Sequence, residues 1–163
     1  MGRKKIVRPQ ADEETIKKVK RMIREYPLRR HEIAVYEKSR TRLLRFITVG
    51  GEITREELVD AQKYRDAALP TRDKNALLRY YSDREVVYLL QSGMDTVPEG
   101  RRKKIAFDKI FGEMNSRQII EKYAIGYNTY RRAMKEVINY IALFVEEYVL
   151  WKHSATNTSS LKK

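Results

Sequence analysis

Asn115-Ser116-Arg117-Gln118-Ile119-Ile120-Glu121-Lys122-Tyr123-Ala124-Ile125-Gly126-Tyr127-Asn128-Thr129-Tyr130-Arg131-Arg132 is the stretch whose reading decides the fold. Its pattern predicts a short helix, a tight turn and a second, longer helix. Asn115 can cap the first helix, and Gln118 three residues on completes a capping-box spacing. Ile119, Ile120 and Tyr123 then share one face at helical spacing. Ala124-Ile125-Gly126 is short and small, suited to a sharp turn, with Gly126 free to take up positive φ. The next helix opens polar and cationic from Tyr127 to Arg132, then turns apolar through Ala133, Met134, Val137, Ile138 and Ile141. Donors on the leading turns and a buried stripe behind them are what a groove-reading helix requires, its N-terminal end entering the major groove while its body is held by the core. The expectation is a helix-turn-helix reader of double-stranded DNA.

Working outward, a helix is expected from Pro98, which suits a first helical turn because its missing N–H costs little there. It runs to about Phe111, with Ile105, Ala106, Ile110 and Phe111 inward. Arg101, Arg102, Lys103 and Lys104 crowd its start; four like charges in one turn repel, and an anionic partner would relieve them. On this basis Tyr127, Asn128, Tyr130 and Arg131 are expected to reach base edges, since Asn suits adenine and Arg suits guanine. Arg101, Arg102, Lys103, Lys104, Ser116, Arg117, Arg132 and Lys135 are expected to hold phosphates. The second helix of the motif is expected to continue to about Trp151. Ile141, Phe144, Val145, Tyr148 and Val149 exceed the apolar surface that a three-helix reader needs, so they pack on the N-terminal helices or on a second copy in a homodimer.

Towards the N-terminus, residues 1–10 read as a basic arm and 11–92 as a helical region. Ile16, Val19, Met22 and Ile23 keep helical spacing after Asp12-Glu13-Glu14, and Pro27 is expected to end that helix. Lys17, Lys18, Lys20, Arg21 and Arg24 lie on its other face. Further helices are expected from Arg29 to Phe46, from Thr54 to Ala68 and from Arg72 to Gln91, the last with a bend at Tyr81-Ser82. Val49-Gly50-Gly51 is a candidate hinge, and Gly93 to Val97 a loop into the 97–151 DNA-binding domain. Residues 152–163 read as a disordered Ser/Thr/Asn/Lys tail.

Composition agrees with an all-α fold: 35% of the 163 residues are charged, with 7 Gly and 4 Pro. A net charge of +13 points to a polyanionic partner. It is uneven: residues 1–50 hold 15 Lys/Arg against 6 Asp/Glu, residues 51–100 hold 7 against 10, and residues 101–163 hold 13 against 6. Without cysteine there is neither a disulfide framework nor a thiolate metal site. His31 and His153 are isolated, no glycine-rich phosphate loop or nucleophile elbow is present, and no carboxylate pair stands out. No catalytic, metal or cofactor site is expected, and the 11 tyrosines lack the Arg/His constellation of a nucleotidyl-transfer enzyme. No apolar run is long enough to span a bilayer and no secretory signal is visible, so a cytoplasmic protein is expected.

The segment Val97-Pro98-Glu99-Gly100-Arg101-Arg102, the helix after it and Met114 to Tyr140 resemble the promoter-reading C-terminal domain of sigma factors. More specific is the resemblance to the ArpU-type phage regulators, carried by Tyr127, Tyr130, Arg131-Arg132 and the N-terminal helix ending near Tyr26-Pro27. It leaves residues 50–96 unaccounted for. Ala124 departs from the pattern where the turn glycine is common, and Ile120 where a small residue is usual; a bulky Ile120 implies a wider helix crossing. The resemblance implies a phage or prophage transcriptional regulator, an activator of late genes that touches host RNA polymerase. Two alternatives stay open: a small terminase subunit that recognises phage DNA for packaging, and a sigma-like protein-interaction adaptor.

Overall fold

Apolar residues recurring every three or four positions, with few breakers between them, set this chain into helices. The computed structural model describes residues 9–39 and 71–160. Its elements are α1 (Glu13–Ser39), α2 (Thr71–Asp95), α3 (Arg101–Ile110), α4 (Ser116–Tyr123) and α5 (Tyr127–Ser160). Over the described residues the protein is all-α. The hinge expected at Val49-Gly50-Gly51 and the helix expected from Thr54 to Ala68 lie outside them. Two compact units result: one joins the chain up to Tyr26 with everything from Tyr88 onward, and the other is Pro27–Val87. The first turns of α1 therefore belong with the C-terminal helices, a grouping the expected boundary near residues 92–97 does not follow.

In the first unit, α1 buries Val19, Met22 and Tyr26, α2 buries Leu89, Leu90 and Met94, and α5 buries Val137, Ile141 and Val145. Each large side chain withdrawn from water contributes about 1.5–3 kcal/mol. Asn139 interrupts the apolar run of α5 for a structural reason. Its Oδ1 accepts from the Ala11 N–H at 2.9 Å, and its Nδ2 donates to the Pro9 carbonyl at 3.1 Å. Next to it the Asp12 N–H donates to Glu146 Oε1 at 2.6 Å. Of the surplus apolar surface of α5, Ile141 lies against Gly93 and Tyr148 against Tyr88, both on α2.

Five local expectations are corrected. Pro27 does not end the first helix; α1 runs through it to Ser39. An internal proline costs about 3 kcal/mol, and tertiary contacts on either side offset it. Tyr26 packs edge-to-face on Phe111, centroids 5.1 Å apart, and beyond the proline Tyr36 stacks on Tyr80 at 4.5 Å. α2 passes without interruption through Tyr81-Ser82 and Gly93, so the loop to α3 is only 96–100. Pro98 lies in that loop, because α3 starts at Arg101 behind Gly100. α5 extends through Ser160, so residues 152–160, expected in a disordered tail, are helical.

Within the second unit the described helices meet through polar groups as well as apolar ones. Arg29 Nη1 donates to Asp83 Oδ1 at 2.8 Å, and Asp83 is only 6% exposed. Burial pushes the Asp83 carboxyl above the usual range, and the Arg29 guanidinium pulls against that rise. The Tyr80 hydroxyl donates to Glu37 at 2.8 Å; burial and that bond raise its pKa to about 12.

Gly93 is buried where α2 passes α5, and a Cβ there would lie 2.9 Å from Ile141 Cγ2 and 3.2 Å from Ile141 Cα. Alanine would gain about 1 kcal/mol of helix propensity but must push the helices apart, and overpacking costs about 1–3 kcal/mol. Gly93→Ala is expected to lower the urea midpoint at unchanged m-value, a net loss of about 1 kcal/mol. A midpoint at or above that of the parent would show that the α2–α5 contact is not tight.

Candidate nucleic-acid interface

The site is built on three short-range features. Asn115 caps α4 as its spacing predicts: its Oδ1 accepts from the Gln118 N–H at 2.8 Å, and Gln118 Oε1 accepts from the Asn115 N–H at 3.0 Å. α4 then ends in a left-handed residue, but that residue is Ala124 (φ 49°, ψ 50°) and not Gly126. The Ala124 N–H reaches the Glu121 carbonyl and the Ile125 N–H reaches the Ile120 carbonyl at 3.2 Å, a pairing that satisfies carbonyls at the end of a helix. Ile120 and Ile125 pack on the same apolar cluster, which is why a bulky residue suits position 120. Gly126 opens α5 instead, its carbonyl accepting from the Tyr130 N–H at 3.2 Å.

Ile105 of α3, Ile119 of α4, and Tyr130 and Ala133 of α5 form the core beneath the turn. This fixes the rotation of α5. Tyr130, Ala133 and Val137 point in, so Asn128, Arg131, Arg132 and Lys135 point out, and all four are exposed. Tyr127 is 57% exposed on the leading turn. The Arg131 guanidinium carbon sits 5.9 Å from the Tyr127 ring centroid, a cation–π distance that restrains its flexible stem. No acidic residue occupies the first turn of α5, so nothing there offsets the positive end of the helix dipole.

Tyr130 departs from the expected set of base readers. It is 8% exposed and belongs to the core, and burial raises its phenol pKa. The sequence placed it beside Arg131 but did not fix the helix phase, which sends it inward. Thr129, passed over in the sequence, is exposed on the leading turn; its signal was adjacency to Asn128.

The expected phosphate grip on α3 is largely engaged within the protein. Arg101 Nη2 donates to the Tyr123 carbonyl at 2.5 Å, at the end of α4. Arg102 pairs with Glu136 of α5, and Lys103 with Glu99 at 2.7 Å. The Lys103 bond holds the Glu99 carboxyl below its usual range. Lys104 stays exposed, and Arg101 keeps its charge because a carbonyl does not neutralise it. On α4, Ser116 is half-buried, and Arg117 is 88% exposed with a long 3.5 Å contact to Glu121. The cationic surface is therefore centred on α5, with Arg101, Lys104 and Arg117 at its edges and no single four-cation cluster.

α3 is fastened to α4 by a contact the sequence did not signal. Asp108 Oδ2 accepts from Lys122 Nζ at 2.7 Å and from the Tyr123 hydroxyl at 2.5 Å. The Lys122 and Tyr123 hydrogen bonds hold the Asp108 carboxyl below its usual range. The same bonds to Asp108 raise the pKa of both Lys122 and Tyr123.

Two outcomes are expected here. Asp108 contributes stability that is fully present above the ordinary aspartate pKa of about 4 and fades as pH falls through its lower folded value. Asp108→Ala should cost about 1–2 kcal/mol at pH 7 and much less near pH 2, by denaturant titration at both; equal losses would mean that packing, not charge, is what was removed. Ala124→Gly relieves the left-handed strain and should raise stability by about 1 kcal/mol, seen as a higher melting temperature. An unchanged or lower melting temperature would mean that the alanine methyl is used in packing. No protein-family model, curated protein or solved structure matches this chain.

Proposed function

We propose that this protein binds double-stranded DNA in a sequence-specific manner and regulates transcription, with α4, the 124–126 turn and α5 acting as a helix-turn-helix. The observation that carries this reading is the outward face of the first three turns of α5. Asn128, Arg131, Arg132 and Lys135 are exposed there beside Tyr127, on a helix whose opposite face is locked into a core. A helix so presented fits the major groove, where Asn pairs with adenine and Arg with guanine in two-bond contacts. Arg132, Lys135, Lys104, Arg101 and Arg117 supply phosphate contacts around it. The resemblance to ArpU-type phage regulators favours a phage or prophage setting, late-gene activation and contact with host RNA polymerase. Among the described residues no helix is long and apolar enough to cross a membrane.

Selection of bound genomic fragments by the purified protein tests this reading. A restricted set of sites next to promoters is expected. On a selected site, Arg131→Ala should cost about 1–3 kcal/mol and relax the preference at one base position. Lys104→Ala should weaken all sequences alike and shallow the salt dependence by about one unit. Equal losses for Arg131→Ala on selected and scrambled DNA would remove base reading from α5.

A further inference from the structure

The outer face of α1 carries five cations within eight residues: Lys17, Lys18, Lys20, Arg21 and Arg24, all exposed. The core side of the same turns holds Val19, Met22 and Tyr26, at 0%, 4% and 3% exposure. No acid lies between Glu14 and Glu25. Among the described residues, Lys17 has a single long contact, 3.5 Å to a Glu14 that is itself 81% exposed. Lys17, Lys20, Arg21 and Arg24 are spaced three and four apart, so neighbouring like charges repel along the helix. The helix holds because its inner face is buried and its start is fastened to α5 through Ala11 and Asp12. We infer that this face of α1 is a second binding surface, which takes the sugar-phosphate backbone of duplex DNA without regard to sequence.

Charge and texture select that ligand. A protein partner needs an apolar centre with charges confined to the rim, and the outward positions from Lys17 to Arg24 offer none. Protein–DNA interfaces are polar and strongly cationic. The strip is about 10 Å long and runs alongside on the order of three phosphates of one strand. It lies on a different element from the α5 face and reads no bases. The identity of the anion as DNA rests on the reading of α5 given above.

The test uses the full chain and a variant with Lys17, Lys20, Arg21 and Arg24 all changed to Gln. Binding to a selected and a scrambled duplex of equal length is followed across a range of salt concentrations. The variant is expected to shallow the dependence of log K on log salt by about two to four units on both duplexes, and to leave their affinity ratio unchanged. Its melting temperature without DNA at low salt should match or exceed the parent's, because repulsion has been removed. A Lys17→Arg/Lys20→Arg variant should keep the parental slope. An unchanged slope in the Gln variant overturns the inference, as does an equal loss of binding to polyglutamate, which would make the strip a general anion surface. A shallower slope with no preference between duplexes in either protein would leave the strip standing and remove the reading of α5.

Discussion

The contact of Ile119 with Ile105, Tyr130 and Ala133 is the constraint on which the rest depends. It brings α3, α4 and α5 together at one point, and Ile119 and Ala133 are 0% and 1% exposed. A helix turns by a fixed angle per residue, so burying Tyr130, Ala133 and Val137 leaves no choice about what faces out. Asn128, Arg131, Arg132 and Lys135 form the exposed face because the apolar stripe occupies the other. The composition of the outer face gives it chemistry; the inner contact gives it a fixed direction.

Electrostatics does two separate jobs here, and residue type alone does not tell them apart. Arg102 and Lys103 meet carboxylates, and Arg101 meets the last carbonyl of α4, where a cation suits the helix dipole. Arg101 and Arg102 help hold the helices around the site in place, while the Lys103 pair is local to the start of α3. Lys122 does the same from the other direction through Asp108. Such exposed pairs add little stability each, but they connect α3 to α4 and α5 at several points. The cations on the outward faces of α5 and α1 bridge no helices among the described residues; Lys17 makes its long pair with Glu14, and the Arg131 guanidinium lies over the Tyr127 ring.

Much of this was legible in the sequence, and the failures share a physical cause. The capping box at Asn115 and Gln118 depends on four consecutive residues, and it formed as the spacing predicts. The helices of the C-terminal half follow from a strong three-and-four periodicity. Pro27 misled because a local helix breaker was outweighed by distant partners, Phe111 on one side and Tyr80 on the other. Gly93 reads as a loop residue, yet its lack of a side chain serves the close passage of Ile141. Ala124 holds a left-handed turn that Gly126, two residues on, would take at less cost. Tyr130 illustrates the limit within the site, where a one-residue uncertainty in helix phase separates a base contact from a core residue.

The arrangement of the chain also brings together charge that lies far apart in the sequence. Main-chain groups of Ala11 and Asp12 are bonded to Asn139 and Glu146, so the first turns of α1 have a fixed place against α5. One unit therefore carries both strongly cationic stretches, although more than a hundred residues separate them in the sequence. In the other unit Arg29 meets Asp83, and Glu37 accepts from the Tyr80 hydroxyl that Arg84 also reaches. Folding thus brings two basic stretches that are distant in the sequence onto one body. A polyanion would be drawn to the first unit by its net charge, before any individual side chain made contact.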